Sequence, residues 1–168
     1  DELCGIEQAY ITTVHSYTTD QSLHDQPHHD LRRARGAAQS IVPTTTGAAK
    51  ALTKIFPKLE GKLGGSGIRV PVPNGSLTDI TCYVSKVVTI DEINAAFLKA
   101  SQNELKSILA YTEAPIVSVD IIGNSHSCLF DAQLTSTIDK MVKVVGWYDN
   151  EIGYSSRIID LITYISNK

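Results

Sequence analysis

"GIRVPVPNGSLTDITCYVSK", Gly67 to Lys86, decides the fold. Ile68, Val70 and Val72 alternate with Arg69 and Pro71. Further on, Ile80, Cys82 and Val84 alternate with Thr81, Tyr83 and Ser85. Period-two alternation predicts two strands, each with one face toward a core. Asn74-Gly75 between them is a turn pair. Pro71 and Pro73 have no N–H for a ladder, so the first strand lies at a sheet edge or stops there.

Working outward, "YITTVHSY" (Tyr10–Tyr17) is β-branched and aromatic, and reads as a strand. From Thr18 to about Val42 regularity fails, and Asp, His, Gln, Pro and Arg crowd together. Loops that long in a compact domain usually carry function. "TTTGAAKALTKIFP" (Thr44–Pro57) follows as an Ala-rich helix opened by Thr or Gly and ended by Pro57. "TIDEINAAFLKASQ" (Thr89–Gln102) has Thr89 and Glu92 at capping-box spacing and a stripe of Ile90, Ile93, Phe97 and Ala100. "PIVSVDIIGN" (Pro115–Asn124), "SCLFDAQLT" (Ser127–Thr135) and "MVKVVGWYDNE" (Met141–Glu151) read as three further strands, and "GYSSRIIDLITYISNK" (Gly153–Lys168) as a closing helix. Strands cluster instead of alternating with helices. That pattern predicts an α+β fold, a largely antiparallel mixed sheet with helices on one face.

The 168 residues fit one domain with a real core. A formal net charge of −3 argues against a dedicated nucleic-acid binder. No apolar run approaches a membrane span. Cys4, Cys82 and Cys128 are widely spaced, with no CxxC pair, so neither a zinc ribbon nor a disulfide framework is expected. Free thiols suggest a reducing compartment, the cytosol. The start "DELCGIEQAY" has no Met and no signal-peptide pattern, which suggests a fragment or a processed chain.

Several residues could carry chemistry. His15 ends a strand among hydroxyls (Ser16, Tyr17, Thr18, Thr19), and histidine is the usual general base near neutral pH. A lone histidine there is more often structural. Arg32, Arg33 and Arg35 form a basic cluster that is either a solvated ion-pair patch or an oxyanion grip. "TTTG" (Thr44–Gly47) is either an ordinary N-cap or a phosphate site at a helix start. Arg69, among apolar neighbours in a strand, needs a carboxylate or an anionic ligand. Together these features point to a phosphorylated small substrate. His24, His28 and His29 lack regular ligand spacing and read as loop surface, with no metal expected. Trp147 reads as core and Tyr148 as site wall, with core the safer reading for both.

"TTVHSYT" (Thr12–Thr18), "RRARGAAQSIVPTTTGAAKA" (Arg32–Ala51), "RVPVPN" (Arg69–Asn74) and "GWYDNEIGYSSRIIDL" (Gly146–Leu161) closely resemble glyceraldehyde-3-phosphate dehydrogenase. The resemblance runs over essentially the whole chain, in order, and it is to the C-terminal catalytic domain only. It implies that residues 1–168 are that domain, with the NAD-binding Rossmann part and the nucleophile helix absent. The family oxidises an aldehyde with NAD through a cysteine thioester, which inorganic phosphate then cleaves. By resemblance His15 activates the thiol, and Thr18 and Arg69 hold the phosphate of glyceraldehyde 3-phosphate. Thr46, Gly47 and one loop arginine, taken as Arg33 among Arg32, Arg33 and Arg35, hold the attacking phosphate. Asn150 holds the nicotinamide amide, and Tyr154 lies beside it. The long loop resembles one that packs near a neighbouring subunit's cofactor, and the intact enzyme is expected to be a homotetramer.

Two departures matter. The family's Cys-Thr-Thr-Asn-Cys motif is not in this sequence, so the chain alone is expected to be inactive, and its last helix to expose an apolar face. Ile152 stands where relatives carry an aromatic residue, which alters packing near the cofactor. A related family that acts on erythrose 4-phosphate tends to lack the Thr of "HSYT", so Thr18 favours the triose phosphate. The competing reading is a non-catalytic phosphate-binding or assembly module.

Overall fold

Strand β1 (Ile6–Ser16) leads into a long loop, and short strand β2 (Val42–Thr44) ends it. The computed structural model describes residues 1–168, apart from the side chains of residues 48–50. Helix α1 (Ala48–Ile55) follows, with Gly47 at its N-cap, and a 3-10 turn at Pro57–Leu59 stops it as Pro57 requires. Next come β3 (Leu63–Val70), β4 (Ser76–Val84) and α2 (Ile90–Gln102). Strands β5 (Leu109–Thr112), β6 (Cys128–Asp131), β7 (Ser136–Ile138) and β8 (Met141–Tyr148) precede helix α3 (Ile152–Ser166).

The strands form one 8-stranded sheet in the order β2-β3-β1-β4-β8-β6-β5, with β7 added to β8. It is mixed and mainly antiparallel; only β1–β3 and β5–β6 run parallel. The expected strands around Asn74-Gly75 are β3 and β4, yet they do not pair. β1 lies between them, parallel to β3 and antiparallel to β4. The prolines explain the separation. Residues 71–75 cannot continue a ladder, so they cross the end of β1, where the Tyr17 amide donates to Val72 O at 3.1 Å. Gly75 completes the crossing with φ +88°, a backbone angle that favours glycine.

The core lies on one face of the sheet. Ala9 of β1, Cys82 and Val84 of β4 and Val142 of β8 pack with Ile93, Leu109 and Phe130. α2 covers this face. Thr89 and Glu92 form the expected capping box, and Ile93 is buried while Phe97 and Ala100 pack against the cluster. Ile90 differs from the expected stripe and is 40% exposed, because it opens the first turn. Phe97 stacks on Phe130 with ring centroids 3.9 Å apart, worth about 1 kcal/mol beyond area burial. Tyr10, Tyr83 and Met141 stand exposed on the other face.

The expected strand at Pro115–Asn124 is instead a 3-10 turn over Ser118–Ile121. The Asp120 carboxylate accepts the Val117 amide at 2.8 Å, which folds the segment on itself. Only Ile121 of its apolar residues is buried; Val117, Val119 and Ile122 face solvent. The strand in that region is β5, just upstream. "SCLFDAQLT" splits into β6 and a further 3-10 turn at Ala132–Leu134. Trp147 is tied down by its indole N–H, which donates to buried Asp131 Oδ2 at 2.9 Å. α3 leaves Tyr154, Ile159, Ile162 and Ile165 largely exposed.

Candidate functional site

The parallel register of β1 and β3 sets His15 directly opposite Arg69. Residues paired in this way project to the same side of a sheet, so imidazole and guanidinium meet. Arg69 Nη1 lies 2.8 Å from His15 Nδ1 and donates to Ser16 O at 3.0 Å. His15 Nδ1 is itself 2.7 Å from Ser16 O. When Nδ1–H donates to that carbonyl, Arg69 Nη1 cannot donate to Nδ1 and gives its N–H to Ser16 O; Nε2 then keeps the lone pair, which is the state a general base needs. Burial lowers the His15 pKa below its ordinary value, the Ser16 carbonyl opposes this, and the Arg69 charge lowers it further. The ring is therefore mainly neutral at pH 7.

Arg69 has no carboxylate partner among the described residues. Burial and the nearby Arg33 charge lower its pKa, yet a guanidinium stays protonated at pH 7. The Asp20 charge acts on Arg69 from a distance while paired with Arg33, and a part-buried cation with no carboxylate of its own favours an anionic ligand.

The other expected residues fall in two groups. Thr18 sits three residues beyond His15 in the turn that leaves β1, where its carbonyl accepts the Gln21 amide at 2.8 Å. Arg33 comes near Arg69 but is not free. Its Nε and Nη2 donate to Thr44 Oγ1 at 3.0 and 2.7 Å, and its Nη1 pairs with Asp20. Of the three loop arginines, Arg35 pairs with Asp25 at 2.8 Å and Arg32 is exposed, so Arg33 is the one held toward β2. Val42 pairs with Arg69 and Thr44 with Gly67, so the antiparallel β2 leads the chain away from Arg69 before it reaches Thr46 and Gly47, and the pairing does not by itself bring these two to Arg69. A side chain at Gly47 would meet nothing within 4 Å, so packing inside the chain does not require glycine there. Tyr154 stands apart on α3, 71% exposed.

Asn150 joins the cluster through hydroxyls. Its Oδ1 accepts from Ser16 Oγ at 3.0 Å and from Ser76 Oγ at 3.1 Å. Beside it, Asp149 is 1% exposed and accepts four hydrogen bonds. Oδ1 takes the Glu151 and Ile152 amides, both at 2.9 Å, and Oδ2 takes the Gly123 amide at 2.8 Å and Asn74 Nδ2 at 3.0 Å. Burial raises the Asp149 pKa, but these donors lower it by more, so it lies below the usual carboxylate value. Tyr148 differs from the core reading: it is half-buried, lies outside the core cluster and lines the site, with its ring edge-on to His15 at 6.1 Å. Ser76 and Asp149 are the parts that sequence reasoning did not single out, and Ser16 figured there only as a hydroxyl beside His15. Serines and an aspartate are common residues, and nothing in their spacing marked them.

A base, a guanidinium without a carboxylate and a convergent hydroxyl set define a domain suited to an anionic substrate. The chain belongs to the glyceraldehyde 3-phosphate dehydrogenase C-terminal domain family, whose model matches residues 1–150. It is 54% identical over its full length to glyceraldehyde-3-phosphate dehydrogenase 2 of Streptomyces avermitilis, of which it covers 50%. It is 55% identical to the glyceraldehyde-3-phosphate dehydrogenase of Mycobacterium bovis, with 98% of this chain and 49% of that protein aligned. For the Mycobacterium leprae enzyme of the same name the identity is 56%, over 94% of this chain and 47% of the relative. The chain thus spans about half the length of these relatives. No helix among the described residues is long and apolar enough to cross a membrane.

Proposed function

We propose that this chain is the catalytic half of a phosphorylating, NAD-dependent glyceraldehyde-3-phosphate dehydrogenase. The observation that carries this is Arg69, paired with no described carboxylate, 2.8 Å from a mainly neutral His15. Arg69 and Thr18 hold the phosphate of glyceraldehyde 3-phosphate. Thr46, Gly47 and Arg33 receive inorganic phosphate. His15 takes the proton of the attacking thiol, and the resulting imidazolium stabilises the thiolate.

The thiol comes from outside these residues. Burial pushes Cys82 and Cys128 up to about 11, which leaves almost no thiolate at pH 7. Cys82 also pairs with Ala9, roughly 20 Å along β1 from His15 at about 3.3 Å per residue. Cys4 packs against the same cluster, at that far end. NAD, when bound, accepts the hydride. Asn150 fits its carboxamide, because Asn150 Nδ2 has one N–H beyond the one given to Glu151 Oε1. Tyr154 would flank it. The remaining cofactor contacts come from the other half of the protein, and the exposed apolar side of α3 is a surface for that half. On this reading the reaction belongs to glycolysis in the cytoplasm and the intact enzyme is a homotetramer, a reading that the resemblance supports.

The test is NADH formation by the full-length protein from glyceraldehyde 3-phosphate, NAD and phosphate. We expect activity that requires inorganic phosphate and drops strongly in His15→Asn. The 168-residue chain alone, folded by circular dichroism, should form none. Phosphate-independent turnover, or a His15→Asn protein with normal kinetics, overturns the assignment. Preference for erythrose 4-phosphate moves it to the sister activity.

A further inference from the structure

The Asn150 side chain is gripped from two strands. Ser16 ends β1 and is fully buried, and Ser76 opens β4 at 1% exposure. Both hydroxyls converge on Asn150 Oδ1, at 3.0 and 3.1 Å. Ser76 Oγ also accepts the Ser16 backbone amide at 3.2 Å. One of its lone pairs is thus engaged by an N–H, the Tyr148 hydroxyl approaches the same oxygen, and its own proton goes to Asn150. The oxygen of the Asn150 amide is therefore the inward atom. Its nitrogen faces out and spends one N–H on Glu151 Oε1 at 3.1 Å. The second N–H has no partner among the described residues.

We propose that Ser16 and Ser76 are positioning residues for cofactor recognition. They lock the Asn150 amide so that it gives an N–H, not a carbonyl, to the carboxamide oxygen of the nicotinamide. This rests on Asn150 facing the nicotinamide, as proposed above. Without the two hydroxyls the amide can turn over. In the turned state its oxygen meets the ligand's carbonyl oxygen, lone pair against lone pair, and the hydrogen bond is lost. Ser16 follows His15 directly in the chain, so one strand end both carries the base and fixes the residue that orients the ring receiving hydride.

Calorimetric binding to the full-length protein tests this, using NAD and ADP-ribose as paired probes. ADP-ribose keeps everything of NAD except the nicotinamide. The variants are Ser16→Ala, whose hydroxyl serves only Asn150, the double variant Ser16→Ala/Ser76→Ala, and Asn150→Ala. We expect the double variant to weaken NAD roughly fivefold to tenfold, with ADP-ribose unchanged. Ser16→Ala alone should show part of that loss and melt normally. Equal weakening of both probes points to general loosening and overturns the inference. So does an unchanged NAD affinity in the serine variants while Asn150→Ala weakens it. If Asn150→Ala leaves NAD affinity unchanged, the reading of Asn150 itself is wrong, and the inference falls with it.

Discussion

Arg69 Nη1 and His15 Nδ1 sit 2.8 Å apart on neighbouring parallel strands, with no described carboxylate paired to the arginine. A permanent cation beside a titratable ring disfavours the ring's charged form. The ring therefore stays neutral beside the arginine, and its protonation reports on the charge around the pair.

The first expectation concerns protonation. Burial and then the Arg69 charge, partly offset by the Ser16 carbonyl, hold the His15 pKa below 6.5. The unfolded ring takes up its proton at the higher pH. The stability contribution of a neutral His15 is thus fully present above pH 6.5 and is lost as pH falls through the folded value. An NMR titration of the ring should give a midpoint under 6.5, and Arg69→Met should move it upward. A midpoint above 6.5 in the unaltered chain would contradict the geometry.

Anion binding should reverse that shift. Sulfate stays doubly charged across this pH range, so it isolates the effect of the ligand from its own titration. Sulfate should raise the His15 midpoint, and Arg69→Met should weaken sulfate binding roughly tenfold or more, since the bond lost is charge-assisted. Chemical-shift titration reads both. Unaltered binding in Arg69→Met would remove Arg69 from the anion site.

Asp149 predicts a stability effect. Replacing it with Asn turns one acceptor oxygen into a donor that faces existing donors. The loss should be about 2–4 kcal/mol by urea unfolding. Because its folded pKa lies below 3.8, the carboxylate's contribution is present above that pH and lost as pH falls through the folded value. A variant as stable as the parent would show that the four hydrogen bonds matter little.

Gly75 predicts a steric one. A Cβ there would lie 2.5 Å from Ser118 O, at a φ of +88°. Gly75→Ala should cost about 2 kcal/mol or more in urea unfolding. Its effect should spread to the site, because Asn74 and Ser76 flank it and bond Asp149 and Asn150. A neutral result would mean that the crossing over β1 can shift freely.

The sequence made some of this legible and hid the rest, for reasons that differ by residue. Thr89 and Glu92 announced α2 because a capping box is local chemistry, complete within four residues. Pro71 and Pro73 announced the end of β3 because a missing N–H acts wherever the chain goes. The turn over Ser118–Ile121 was hidden: "IVSVDII" alternates like a strand, and only Asp120 folding back on Val117 decides otherwise. The insertion of β1 between β3 and β4 was hidden too, since strand order is set by long-range pairing. In the site, Arg69 stood out as a charge among apolar neighbours. The serines that hold Asn150 did not, because their role exists only once residues 16, 76 and 150 meet.

The parallel pairing of β1 and β3 has a kinetic consequence. His15 and Arg69 are 54 residues apart in the chain. Closing a loop of that length costs about 2–3 kcal/mol more chain entropy than closing the tight β7–β8 turn. Local hairpins can therefore form while this contact is still open. In refolding, the ability to bind sulfate should recover with the slowest phase and never ahead of it, so the anion site also serves as a clock for completion of the central sheet.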